Sequence, residues 1–130
     1  MRWLLISPLS KGVRTDLYPQ AHIRRLYYYL CSDEIIHQLN VQHLQHDYPT
    51  DILTFPYSYD PIEAEVFLGI EEISRNAQSW MVPFEMEFLR VVAHGLLHML
   101  GYSDATDEER KKMRAAEDAA LRLWKASTTS

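Results

Sequence analysis

Residues 84–104 read FEMEFLRVVAHGLLHMLGYSD, and this stretch decides the fold. Phe84, Met86, Phe88, Leu89, Val91, Val92, Ala93, Leu96, Leu97, Met99 and Leu100 make it apolar nearly all round, as in a helix buried in a core. Pro83 suits the first helical position, and Gly101 suits the residue just past the end, where a left-handed backbone closes the last turn. The few polar residues are therefore the informative ones. At about 100° per residue, Glu87, Arg90, His94 and His98 fall in one stripe of roughly 80°. His94 and His98 lie about 6 Å apart along the axis, so both imidazoles can reach one ion.

The run from His94 to His98 has the ligand spacing of the zinc-peptidase pattern H-E-x-x-H, but Gly95 stands where that pattern puts its general base. Without that proton acceptor, the motif argues against peptidase chemistry and for a different metal hydrolase. Catalytic zinc normally takes three protein ligands and leaves a position for water. Gly101 lets the chain leave the helix sharply, and Asp104, six residues after His98, is far enough on to curl back as the third ligand. Two histidines at i and i+4 on a buried helix, followed by Gly and Asp, favour a metal over a pair of hydrogen-bonded core histidines. Two histidines and a carboxylate also occur in non-haem iron oxygenases, for which a helical H-x-x-x-H is the wrong context.

Working outward, residues 2–6 (RWLLI) fit a first strand, and Leu26 to Cys31 reads as a buried strand. Ser32 is placed to cap a helix opening on Asp33 and Glu34 and ending near residue 45. Residues 46–51 have loop composition. Ile52 to Tyr57 and Glu65 to Ile70 read as the strands of an antiparallel hairpin, with Pro56 confining the first to an edge. A short helix follows over Glu71 to Trp80. Thr106 and Glu109 have capping-box spacing and open a last helix through about Leu123, with a loose tail after it. Arg110, Lys111, Lys112 and Arg114 read as a solvated helix face balanced by Glu108, Glu109, Glu117 and Asp118. Arg24 and Arg25 read as surface residues.

The 130 residues fit one domain with a real core. A net charge of −5 excludes a uniformly basic nucleic-acid binder, though not RNA engaged by a local patch and a metal. The lone cysteine, Cys31, rules out an internal disulfide, suits a reducing cytosol and reads as a packing residue. The apolar run from Trp3 to Ile6 is too short for a signal or membrane segment, so a cytoplasmic protein is expected.

The segment from His94 to Tyr102 (HGLLHMLGY) resembles the signature of the YbeY family, H-G-x-L-H-L-x-G-Y-D-H. Leu39-Asn40 and residues 49–56 (PTDILTFP) resemble that family's second block, L-N-x-x-Y-R then P-T-[DN]-V-L-S-F-P. Residues 64–68 sit at its strand start, and Glu87, Arg90 and Val91 match the approach to its first histidine. The resemblance covers roughly residues 26–121 and implies a metal-dependent, single-strand-specific endoribonuclease of ribosomal RNA maturation and ribosome quality control. The alternative is a ribosome-assembly RNA-binding factor whose metal is structural.

The fold implied is α+β and zincin-like: one domain over residues 1–125, a small mostly antiparallel sheet covered by helices, and a tail at 126–130. The cofactor implied is one divalent ion, zinc before nickel, iron or manganese. Its partners would be a ribosomal RNA precursor and the small ribosomal subunit or its proteins, with no membrane. Three departures matter. Asp104 and Ser103 stand at the family's last histidine and the aspartate before it, which hardens the donor set towards iron or manganese. His43-Leu44 stand at its Y-R pair, removing an arginine thought to contact RNA, for which His43 or His46 is a partial substitute. The section before Leu26 is short.

Asp51 and Glu65, in matched blocks near strand ends, are the candidates for the general base; otherwise they are a loop cap and a solvated strand residue. Arg90 and Thr50 are the candidate substrate contacts. Otherwise Arg90 pairs with Glu87 and Thr50 caps a turn.

Overall fold

The computed structural model describes residues 23–44 and 50–129. The strand expected at 2–6 and the loop residues 46–49, His46 among them, lie outside the described residues. Strand β1 (Ile23–Cys31) leads into helix α1 (Asp33–Leu44), strands β2 (Ile52–Tyr59) and β3 (Ile62–Gly69), then helices α2 (Ile70–Trp80), α3 (Phe84–Met99) and α4 (Asp107–Thr129).

β3 lies between β1 and β2, parallel to β1 and antiparallel to β2. The sheet is therefore mixed, where a mostly antiparallel one was expected. The hairpin is the local half of the sheet, and a tight turn at Asp60 and Pro61 sets its register. The β1–β3 pairing joins segments separated by a helix and a strand, so no local turn signal announces it. Pro56 sits on the edge strand, where its missing N–H leaves only a local shift in the ladder before Ser58.

Alternation along β3 sorts the sheet's two faces. Ile62, Ala64, Val66 and Leu68 are buried in the main core with Leu26, Ile73 and the apolar side of α3. Phe67 faces the other way, towards a smaller cluster of Cys31, Ile36 and Leu53 beneath α1. Cys31 is thus a buried packing residue, as its surroundings in the sequence suggest. β1 is less buried than expected: Tyr29 and Leu30 are exposed, because among the described residues it is an edge strand.

α3 crosses the sheet closely at Gly95, where a Cβ would come within 2.6 Å of Ile52 Cδ1. The glycine therefore does more than deprive the helix of a peptidase's base: a side chain here would force the Ile52 side chain of β2 to move aside. α4 packs along α3 through Met113, Glu117 and Ala120, all buried. It continues to Thr129, beyond the expected stop near Leu123, because residues 124–129 contain no Gly or Pro to end it. No helix among the described residues is long and apolar enough to cross a membrane.

Candidate metal centre

The end of α3 builds the site. Leu100 caps the helix and Gly101 follows with φ +104°, a conformation that disfavours any side chain. The N–H of Gly101 donates to the His98 carbonyl (3.1 Å) and that of Tyr102 to the Leu97 carbonyl (3.0 Å), closing a Schellman turn. That reversal puts the Tyr102 carbonyl 3.1 Å from His98 Nδ1 and brings Asp104 back over the helix. A capping box then opens α4: Thr106 N–H donates to Glu109 Oε1 (3.0 Å) and Glu109 N–H to Thr106 Oγ1 (3.1 Å). Arg110 Nη1 donates to the carbonyls of Asp104 (3.1 Å) and Ala105 (3.2 Å), so the loop is held from both ends.

The three residues read as ligands do converge. His94 Nε2 and His98 Nε2 are 3.0 Å apart, and Asp104 Oδ2 lies 3.4 Å from the first and 3.3 Å from the second. Donors about 2.0–2.1 Å from a tetrahedral ion stand about 3.3 Å from one another, so this spacing suits one small divalent cation. Both ring orientations agree. His94 Nδ1 donates to Glu117 Oε2 at 2.7 Å and His98 Nδ1 to the Tyr102 carbonyl, which leaves each Nε2 as the nitrogen able to take an ion beside Asp104.

Glu117 is the residue that the sequence reading missed. It is 5% exposed, not part of a solvated face, and its two oxygens divide their work. Oε2 orients His94 and Oε1 accepts from Arg90 Nη1 at 2.9 Å, while Arg90 Nη2 reaches Asp118 at 2.7 Å. Arg90 thus bonds to α4 rather than to Glu87, while still lining the cleft beside the donors. The missed signal is phase: Met113, Glu117, Ala120, Leu121 and Trp124 form one helical stripe, and a carboxylate on an apolar stripe needs a buried partner.

An open cleft of about 360 Å³ adjoins the donors, lined by Asp51, Glu87, Arg90 and His94 on one side and Asp104, Arg110, Arg114 and Glu117 on the other. Asp51 is half-buried there, and burial raises its pKa above the usual carboxylate range, although the nearby His94 pulls it down. Burial likewise raises Glu87. Thr50 does not line the cleft; its hydroxyl donates to Asp51 Oδ1 at 3.5 Å. Glu65 is on the opposite face of the sheet, where it accepts from the phenols of Tyr29 (3.0 Å) and Tyr57. The alternation of β3 points it away from α3, so it is not brought to the site. His43 packs edge-on against Phe55 on that same far face. Arg25 stays exposed, as expected, 3.9 Å from Glu63.

His94 titrates above the ordinary histidine value, chiefly because its hydrogen bond to Glu117 outweighs burial. Two opposite pH trends follow. An ion at Nε2 must displace the proton, so its apparent affinity falls by up to about tenfold per pH unit below that raised pKa. Without an ion, a histidine raised on folding adds stability that is full below about 6.5 and is lost as pH rises through the folded value. The melting-temperature gap between zinc-loaded and metal-free protein should therefore widen from about pH 6 to about pH 8. A gap that narrows would contradict the assignment of His94 as a ligand.

A core helix and its closing loop present two imidazoles and a carboxylate to a polar cleft, a group of the kind that could hold a metal ion. Comparison with known proteins gives the family. The sequence pattern of endoribonuclease YbeY matches residues 9–125. "Endoribonuclease YbeY" of Chlorobium phaeovibrioides is 44% identical over 129 residues, covering 95% of this chain and 85% of that one. Its counterpart in Cytophaga hutchinsonii is 47% identical over 105 residues, covering 79% and 73%. A Thermotoga maritima protein solved in solution superposes with a TM-score of 0.61 at 27% identity, covering 95% of this chain and 85% of that one. The chain belongs to the YbeY endoribonuclease family.

Proposed function

We propose that this protein is a metal-dependent endoribonuclease that cuts single-stranded RNA during ribosomal RNA maturation, with His94, His98 and Asp104 as its metal ligands. The observation that carries the reading is the donor set: three donor atoms 3.0–3.4 Å apart, both imidazoles locked by their other nitrogen. Two nitrogens and one carboxylate oxygen suit zinc first, with nickel, iron and manganese as competitors. A divalent ion held there would supply Lewis acidity at a phosphoryl oxygen and lower the pKa of water.

The chain's own residues complete the chemistry. Asp51, with its raised pKa, is a better proton acceptor than an ordinary carboxylate and takes the proton from the attacking water. Thr50 holds its carboxylate in place. Glu117 keeps the His94 ring turned towards the ligand position, and Arg90 holds the Glu117 carboxylate in place. The H-x-x-x-H helix with its third ligand just beyond supports a zincin-like classification. The unit extends over residues 1–125, acts in the cytoplasm and meets its substrate on precursors of the small ribosomal subunit. A ribosome-assembly factor with a structural metal is not favoured, because the relatives are named for nuclease activity.

The test is cleavage by zinc-loaded protein of a single-stranded ribosomal RNA fragment, its duplex form and a casein peptide. Cleavage of the single strand alone is expected; turnover of the peptide but not the RNA would overturn the reading. Asp51→Asn should lower kcat by about 10²-fold or more with bound metal unchanged. A rate within a few-fold of the parent's would move the base elsewhere.

A further inference from the structure

We propose that Arg114 is a substrate contact, binding an RNA phosphate next to the one cut at the His94, His98 and Asp104 donors; this rests on the nuclease reading above. Among the described residues, three arginines line the cleft. Arg90 gives its guanidinium to Glu117 and Asp118. Arg110 gives its own to the carbonyls of Asp104 and Ala105 and to the Asp107 carboxylate. Arg114, one helical turn beyond Arg110, is exposed and makes no hydrogen bond or ion pair of its own among the described residues. It lines the cleft together with Glu87 of α3.

The charge balance of the cleft explains why this matters. Asp51 and Glu87 line it and repel a polyanion, while Arg90 and Arg110 are already paired with carboxylates of the protein itself. Among the described residues, Arg114 is the lining cation with no hydrogen-bond partner of its own. Its planar fork of donors matches two phosphate oxygens at once, which a lysine ammonium cannot do.

The experiment compares zinc-loaded parent, Arg114→Gln and Arg114→Lys with a fluorescein-labelled single-stranded RNA oligomer. Anisotropy is read before appreciable cleavage, at several salt concentrations. Losing one phosphate contact should weaken binding and raise KM about tenfold, with kcat little changed. The slope of log K against log salt should become shallower by about 0.7 in Arg114→Gln and stay near the parent's in Arg114→Lys. Lys112→Gln, on the same helix but outside the cleft lining, should leave affinity and slope unaltered. An Arg114→Gln variant with the parent's affinity and slope, or one that loses kcat with KM unchanged, overturns the proposal. If the parent binds RNA without cutting it and Arg114→Gln still flattens the slope, the nuclease reading fails and the contact stands. A parent that does not bind RNA removes both.

Discussion

Replacing Glu117 with alanine is expected to destabilise the protein by about 3–5 kcal/mol, the usual cost of removing one partner from a buried ion pair. Both partners are inside: the side chain of Glu117 is 6% exposed and that of Arg90 17%. Arg90 would keep its bond to Asp118, which is near half exposed, so that single contact compensates poorly. His94 Nδ1 would lose its acceptor as well, which frees the ring to turn and should weaken metal binding by about 10–100-fold. Glu117→Gln separates these effects, because an amide oxygen still accepts from Nδ1 while the charge facing Arg90 is gone. Urea unfolding and competition with a zinc-binding dye measure the two losses. A Glu117→Ala variant as stable as Asp118→Ala would show that the buried network does not hold α4 to α3.

The second large effect concerns the ligands themselves. His94→Ala and His98→Ala each leave two donors where a catalytic site needs three, so stoichiometric metal should be lost in both. A bound ion supplies several kcal/mol of transition-state stabilisation, and its loss should lower RNA cleavage by about 10³-fold or more. Folding should survive better than in Glu117→Ala. The His98 side chain is 39% exposed and its ring partner is a loop carbonyl that water can satisfy. Asp104→Ala should follow the same course, since its oxygen stands as close to each imidazole nitrogen as an ion requires. Cleavage at the parent's rate by His94→Ala would remove the metal from the mechanism.

What could be read in the sequence was local. The core helix, its stripe of Glu87, Arg90, His94 and His98, the Gly101 stop and the capping box of Thr106 and Glu109 all rest on spacings within a turn or two. The structure reproduces each of them, with Pro83 as the cap rather than the first helical residue. What could not be read was the partner chosen across the fold. Arg90 has Glu87 within reach on its own helix and bonds instead to Glu117 and Asp118 on α4. Charge counting assigned Glu117 to a solvated face, although its place between Met113 and Ala120 on the buried stripe argued otherwise. The same holds for Glu65. Its position between Ala64 and Val66 on an alternating strand already turned it away from α3, whereas Asp51, just before β2, reaches the cleft. The parallel pairing of β1 with β3 has no short-range signature at all.

The central claim is that His94, His98 and Asp104 hold one divalent ion on which RNA cleavage depends. Its most direct test is elemental analysis of protein purified without chelator or added metal, paired with RNA cleavage by the same sample before and after chelation. The prediction is close to one divalent ion per chain, with cleavage abolished by chelation and restored when that metal is returned. Protein that carries no metal and cleaves RNA at an undiminished rate would contradict it.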